Sequence, residues 1–305
     1  MTRPGGPSFA FSAALSSVFA FLGRRPVDIA RALWAPAVAY HLLMLIIAPR
    51  QAGDVVTLLQ LADDAPAAEV SAALSRAAAS TAAAVLVTLV AHAMLYANTI
   101  RLMAQDMPTP DIGRLRFDGP EARMFGAIAG VALGAFFVSL LVGAAVGAAG
   151  RVAPGALGRT LVAASPFMSV ASAFWAATRL SVAGPAAVFE RGGFGVKRAF
   201  ALTENAGVGL PLFWFAVILV IGGFNVAYAT LTGPGAAPVI APDASTEETV
   251  RTLQIAYLSG QINHWTISGV ESVLFGIVNV IYVMAAAAVT AAGAYAAYKT
   301  LTRRT

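Results

Sequence analysis

Two histidines, two asparagines and one arginine stand inside or at the ends of long apolar stretches, and these side chains have the most chemistry to offer. His41 and His92 are the histidines in question. If the first stretch runs outward and the second returns, both imidazoles fall near the membrane midplane. Ionisable residues are costly at that depth unless used, so one reading makes the pair a proton relay or a metal pair. The plainer reading gives each a neutral imidazole hydrogen-bonded to a neighbouring helix. No carboxylate stands at matching depth, which favours the plainer one. Asn225 and Asn279 also share a depth, and an amide pair across helices is ordinary glue in a bundle. Arg179, near the end of its stretch, either binds an anionic lipid headgroup or snorkels.

Other chemistry is missing. The sequence has no cysteine, which excludes disulfides and thiolate metal sites. It has no Gly-rich phosphate loop, no His-Glu-x-x-His and no Gly-x-Ser-x-Gly elbow. Nor do the apolar stretches contain paired carboxylates for acid–base work. The expectation is a protein that is not an enzyme and that needs neither metal nor cofactor.

The elements that carry these residues follow from composition. Of 305 residues, 58% are hydrophobic and 11% charged, against about 25% charged in soluble domains. The apolar stretches are continuous and Ala-rich, which favours helices over the alternating strands of a barrel. Each can span lipid, satisfying its own backbone. The expected fold is all-α: a polytopic transmembrane helix bundle, one integral membrane domain over residues 1–305. Its six spans fall near 29–49, 77–100, 124–148, 160–187, 208–232 and 269–298. Residues 8–22 are too short to span and are followed by Arg24 and Arg25. That order reverses a signal peptide, so they read as an uncleaved interfacial helix. The longest polar loop lies between the fifth and sixth spans, from Gly233 onward.

Fifteen of the twenty Lys and Arg residues fall on one side of this topology, including Arg3, Arg24, Arg25, Arg31, Arg101, Arg114, Arg116, Arg123, Arg191, Lys299, Arg303 and Arg304. Arg50, Arg76, Arg151, Arg159 and Arg251 stand opposite. The basic side should face the cytoplasm, placing both termini inside a bacterial inner membrane. The net charge of +5 then reflects topology and anionic headgroups, with no nucleic-acid partner. Three segments, 8–28, 109–123 and 190–205, each mix apolar residues with charge and precede a pair of spans, a weak internal repeat.

Gly126, Gly130 and Gly134, then Gly143 and Gly147, make a groove on the third span that admits close approach of another backbone. The groove should be filled within the monomer, with the Ala-rich sixth span as its partner; a homo-oligomer or another membrane protein is the alternative. Residues 192–205 read as an amphipathic helix. Phe194, Val196, Phe200 and Leu202 would face the membrane; Lys197, Arg198 and Glu204 would face water.

The run from Arg179 to Glu190 (RLSVAGPAAVFE), continued by Gly193, Lys197, Arg198, Leu202 and Thr203, resembles a membrane-domain signature. That domain is found fused to some bacterial glycerophosphoryl diester phosphodiesterases and in related stand-alone six-helix proteins of unknown function. In its pattern an Arg-Leu-Ser segment closes a span, a Pro and a Glu follow, and an amphipathic helix ending in Leu-Thr leads onward. The resemblance therefore marks Ser181, Pro185, Glu190 and Thr203 as motif positions. Ala199 stands where the pattern usually has Ser, and Glu204-Asn205 replace a basic residue and Gly. Nothing resembles the catalytic phosphodiesterase domain, so the resemblance implies a membrane module without that activity. The expected function is to bind or organise membrane lipids through Arg179, Lys197 and Arg198. The alternative is a small-solute or lipid transporter, motivated by Pro166, Pro185, Gly222-Gly223 and the midplane histidines.

Overall fold

The computed structural model describes residues 9–61, 64–104, 115, 117–190, 193–232, 245–266 and 269–303. Among them the chain forms ten helices and no strand. Six stretches are long and apolar enough to cross a membrane: Pro26–Leu59, Ala67–Ala104, Gly119–Val152, Gly155–Phe189, Gly209–Leu231 and Val270–Thr302. The protein is thus an all-α polytopic bundle. Helices α2 (Pro26–Leu59) and α3 (Ala67–Ala104) are longer than expected. At 1.5 Å per residue, α3 reaches about 57 Å, well past a hydrocarbon core of about 30 Å. Their polar ends, with Arg50, Asp54, Glu69 and Arg76, supply the excess length.

The fourth span is two helices. Helix α5 (Gly155–Leu180) stops where the Ser181 Oγ donates back to the Thr178 carbonyl at 2.7 Å, and α6 (Ala183–Phe189) follows. Pro185 explains the break: it has no N–H for the Ser181 carbonyl, yet fits the first turn of a new helix. Pro166, by contrast, lies inside α5, and Gly222 and Gly223 lie inside an unbroken α8 (Gly209–Thr232). A broken helix of the kind that lines transport sites is thus absent at those glycines.

The segment read as the longest polar loop contains helix α9 (Thr246–Thr266). Its start is a capping box missed in the sequence. The Ser245 N–H donates to Glu248 at 2.8 Å, and the Glu248 N–H donates to the Ser245 Oγ at 3.2 Å. Residues 233–244 of that loop, and residues 109–114 and 116 of the expected repeat unit 109–123, lie outside the described residues.

The chain packs as two compact units. The first comprises Met1–Ala32, Ala93–Val220 and Ala287–Thr305. It holds α1 (Phe11–Arg24), which buries the stripe Ala14, Val18 and Phe21 at helical spacing. Small residues pack its interior, where Ala93, Ala97 and Ala291 meet Ile100 and Met124. The second comprises Leu33–His92 and Ile221–Ala286. It includes α9, whose Arg251 donates to the Leu59 and Leu61 carbonyls at the end of α2.

Candidate functional site

The signature residues close on one another in the first unit. Arg179, in the last turn of α5, donates through Nη1 to the Thr203 carbonyl at the end of α7 (Val196–Thr203). The Thr203 Oγ1 returns a bond to the Arg179 carbonyl at 3.1 Å and another to the Ala199 carbonyl at 2.8 Å. Between these ends the chain turns at Gly193 and Gly195, both at positive φ. An added Cβ on Gly195 would collide with the Ala183 carbonyl, so glycine is required for both conformation and space. Glu190 accepts from Arg198 Nε at 3.1 Å and from the Tyr298 hydroxyl at 3.0 Å. Arg123 Nε donates to the Ala187 carbonyl at 2.7 Å and ties α6 to α4 (Gly119–Val152).

This arrangement changes what the basic residues are free to do. Arg179 lies over the Trp175 ring at 5.6 Å and is half-buried, tied to Thr203. Arg198 is exposed but paired with Glu190, and Lys197 is exposed. Phe194 and Phe200 are exposed beside them, as expected of the amphipathic helix. Leu202 departs from that expectation. It is buried, because α7 turns it inward with Ala199 and Thr203.

The α4 glycines close on the same region. A Cβ on Gly126 would overlap the Phe194 ring, and one on Gly143 would overlap Ser169. On Gly130 it would come within 3.3 Å of Val196 and on Gly134 within 3.0 Å of Leu180, whereas Gly147 faces open space. The groove is therefore filled by α5 and the start of α7 rather than by the last span. Gly293 of α10 (Val270–Thr302) instead faces Trp214 and Val217.

The histidines belong to the second unit and have separate partners. The Asn279 amide stands 2.8 Å from His41 Nδ1, with the Trp265 and Phe275 rings packed around the imidazole. His92 Nδ1 is 2.8 Å from the Thr88 carbonyl of its own helix, and Tyr40 meets its ring edge-on. Asn225 accepts from the Tyr282 hydroxyl rather than pairing with Asn279. No group of three metal-ligating side chains occurs among the described residues.

Among the described residues two hollows stand out, and neither histidine lines either of them. One of about 290 Å³ lies in the first unit, lined mostly by apolar side chains of α3, α4, α5, α6, α8 and α10. Thr178 and Trp214 are among its lining residues, and their Oγ1 and Nε1 atoms are buried, closed to solvent and without a hydrogen-bond partner. The other, about 330 Å³, lies between α2 and α3 and is flanked by Arg50, Asp54 and Arg76. Sequence reasoning passed over Thr178, Trp214 and the ion pair of Arg101 with Glu121 at 2.8 Å. Opposite charges at the ends of consecutive spans were a visible signal for that pair; the two lining residues gave none.

Fold and site together define a multi-pass α-helical membrane protein with a polar clasp at one span end and an apolar cavity beside it. No family model matches the chain, and neither a curated protein nor a solved structure matches it.

Proposed function

We propose that this is a non-enzymatic protein of a bacterial cytoplasmic membrane, both termini inside, that binds anionic lipid headgroups at the end of its fourth span. The observation that carries this reading is the exposed Lys197 and Arg198 of α7, standing in sequence between exposed Phe194 in the turn before the helix and exposed Phe200 within it. Aromatic side chains insert at the headgroup level while adjacent cations attract negative lipid, each contributing about 1 kcal/mol near the surface. The Arg179 to Thr203 pattern similar to the phosphodiesterase-fused membrane domain supports a membrane-module role. The cation excess on that side supports the orientation.

The test is lipid retained through purification. A Lys197→Ala, Arg198→Ala double variant should carry less phosphatidylglycerol than wild type, with phosphatidylethanolamine unchanged. Arg179→Ala belongs in a separate arm because it also breaks the Thr203 contact. Equal anionic lipid in wild type and double variant overturns the reading. Orientation is checked directly because the chain has no native cysteine: a Lys197→Cys variant should resist impermeant thiol reagents added from outside.

A further inference from the structure

We propose that the 330 Å³ hollow between α2 and α3 is a headgroup site for a phospholipid that carries a hydrogen-bond donor beyond its phosphate, with Arg50 and Arg76 on the phosphate and Asp54 on the donor. The site lies wholly within the second unit and uses neither Lys197 nor Arg198.

Its charges are free to bind. A guanidinium is always ionised and only donates, so it needs an acceptor. Those of Arg25, Arg101, Arg123 and Arg251 find acceptors in the chain itself. No hydrogen bond or ion pair joins Arg50, Arg76 or Asp54 to another described residue, although all three line one hollow. The Ser80 hydroxyl on the same wall gives its proton to the Arg76 carbonyl at 3.0 Å, which leaves the two guanidiniums as the donors.

The charge balance names the class of ligand. Two arginines and one aspartate leave one positive charge in the hollow, which the single negative charge of a phosphodiester neutralises. Guanidinium forks match pairs of phosphate oxygens. A carboxylate only accepts, so Asp54 repels a bare phosphate and calls for an ammonium or hydroxyl on the group beyond it. Asp54 stands four residues past Arg50 on α2, about 6 Å further along the axis.

Position along the helices fits a lipid. Tyr40 meets His92 while Arg50 and Asp54 share the hollow with Arg76, so α2 and α3 run antiparallel. Both helices therefore bring charge to the same end of the hollow, and Ile46, Ile47 and Ala83 line the other. Arg50 lies 24 residues past Pro26, about 36 Å, and Arg76 lies 28 residues before Ala104, about 42 Å. Those distances carry both arginines past a hydrocarbon core of about 30 Å into the headgroup layer; in the proposed orientation, this is the outer leaflet. Ile46 is 74% exposed, so the apolar end opens on the bilayer, where the acyl chains continue.

The test compares two lipids of equal net charge. Purified protein is offered equal amounts of phosphatidylethanolamine and phosphatidylcholine with the same acyl chains, and retained lipid is counted by native mass spectrometry. Both carry the phosphate, but only the ethanolamine nitrogen donates a hydrogen bond. Wild type should prefer phosphatidylethanolamine by about tenfold, the size of one hydrogen bond to a charged group. Equal retention by the wild type overturns the proposal, whether or not any variant folds. Asp54→Ala should abolish the preference, and an Arg50→Gln, Arg76→Gln variant should lose it together with the bound lipid. A preference that survives in either variant overturns the proposal as well. Inorganic phosphate added to the buffer should leave the lipid in place; its displacement would assign the hollow to a free anion and overturn the lipid. The Lys197→Ala, Arg198→Ala variant should keep the preference for ethanolamine over choline, and its loss there would put the donor contact outside the hollow. The α7 reading fails separately, because it is read from phosphatidylglycerol against phosphatidylethanolamine.

Discussion

Arg179 and Thr203 hold each other by their backbones: the guanidinium donates to the Thr203 carbonyl, and the Thr203 hydroxyl donates to the Arg179 carbonyl. The reciprocity closes a loop of helix, turn and helix whose ends would otherwise present unsatisfied carbonyls. Hydrogen bonds to charged groups contribute about 1.5–3 kcal/mol and neutral ones about 0.5–1.5 kcal/mol. Arg179→Ala should therefore lower thermal stability in detergent more than Thr203→Val does. The double variant should lose less than the two single losses combined, because both remove the same clasp. Strict additivity would show that the clasp is not a unit.

Arg101 and Glu121 make the most buried ion pair described, with Glu121 2% exposed and also accepting the Asp118 N–H at 3.1 Å. Removing one partner of a buried pair strands the other and costs about 3–5 kcal/mol. Glu121→Ala should be strongly destabilising. Asp28→Ala, which breaks the more exposed pair with Arg25, should cost about 0–1 kcal/mol. Comparable melting shifts for the two would contradict the burial argument.

Gly195 and Gly147 should respond oppositely to alanine. At Gly195 the φ is +71° and the new Cβ would meet the Ala183 carbonyl, so Gly195→Ala should destabilise markedly. Gly147 has open space beside it within α4, and Gly147→Ala should stabilise by about 0.5–1 kcal/mol through lower backbone entropy. The readout is the midpoint of thermal unfolding in detergent for each variant.

Glu248 gives the one pH dependence argued for a group outside the spans. Backbone and side-chain hydrogen bonds from Ser245 hold its carboxyl below the usual carboxylate range. A depressed folded pKa means the capping contribution is complete above the unfolded value and disappears as pH falls through the folded one. Amides 246–250 should therefore exchange faster at acidic pH, after correction for intrinsic rates, and Glu248→Gln should flatten that dependence. Exchange at those amides that is equally pH-dependent in Glu248→Gln would count against it.

His41 and His92 should behave as structural groups. Asn279→Leu leaves His41 Nδ1 without its neighbour at 2.8 Å and should cost about 1–3 kcal/mol. His92→Phe should cost less, since its contacts are the carbonyl of its own helix and an aromatic edge. A larger loss for His92→Phe in thermal unfolding would reverse this ranking.

The number of spans, their order and the helical class were legible because each depends on local composition. An apolar stretch long enough to cross lipid must satisfy its own backbone, and helix is the way a single segment does so. The capping box at Ser245 and Glu248 was equally local, and a search for its spacing would have found α9. Arg179 to Thr203 was marked by resemblance, but the contact between its two ends was not visible. Nothing in the spacing of twenty-four residues says that the chain doubles back at Gly193 and Gly195.

By itself, then, the sequence determined how many stretches can cross lipid and in what order they come, since both are set by runs of neighbouring residues. Tertiary structure alone decided how the arginines are used. Arg25 reaches the Leu102 carbonyl, Arg123 that of Ala187, Arg179 that of Thr203 and Arg251 that of Leu59. Each is a cation at the end of a different helix, where carbonyls lack partners and the dipole is negative. A count of charges cannot show this, because the acceptor of each guanidinium is brought to it only when distant helices pack. The same packing buries the Thr178 hydroxyl and the Trp214 indole N–H without hydrogen-bond partners.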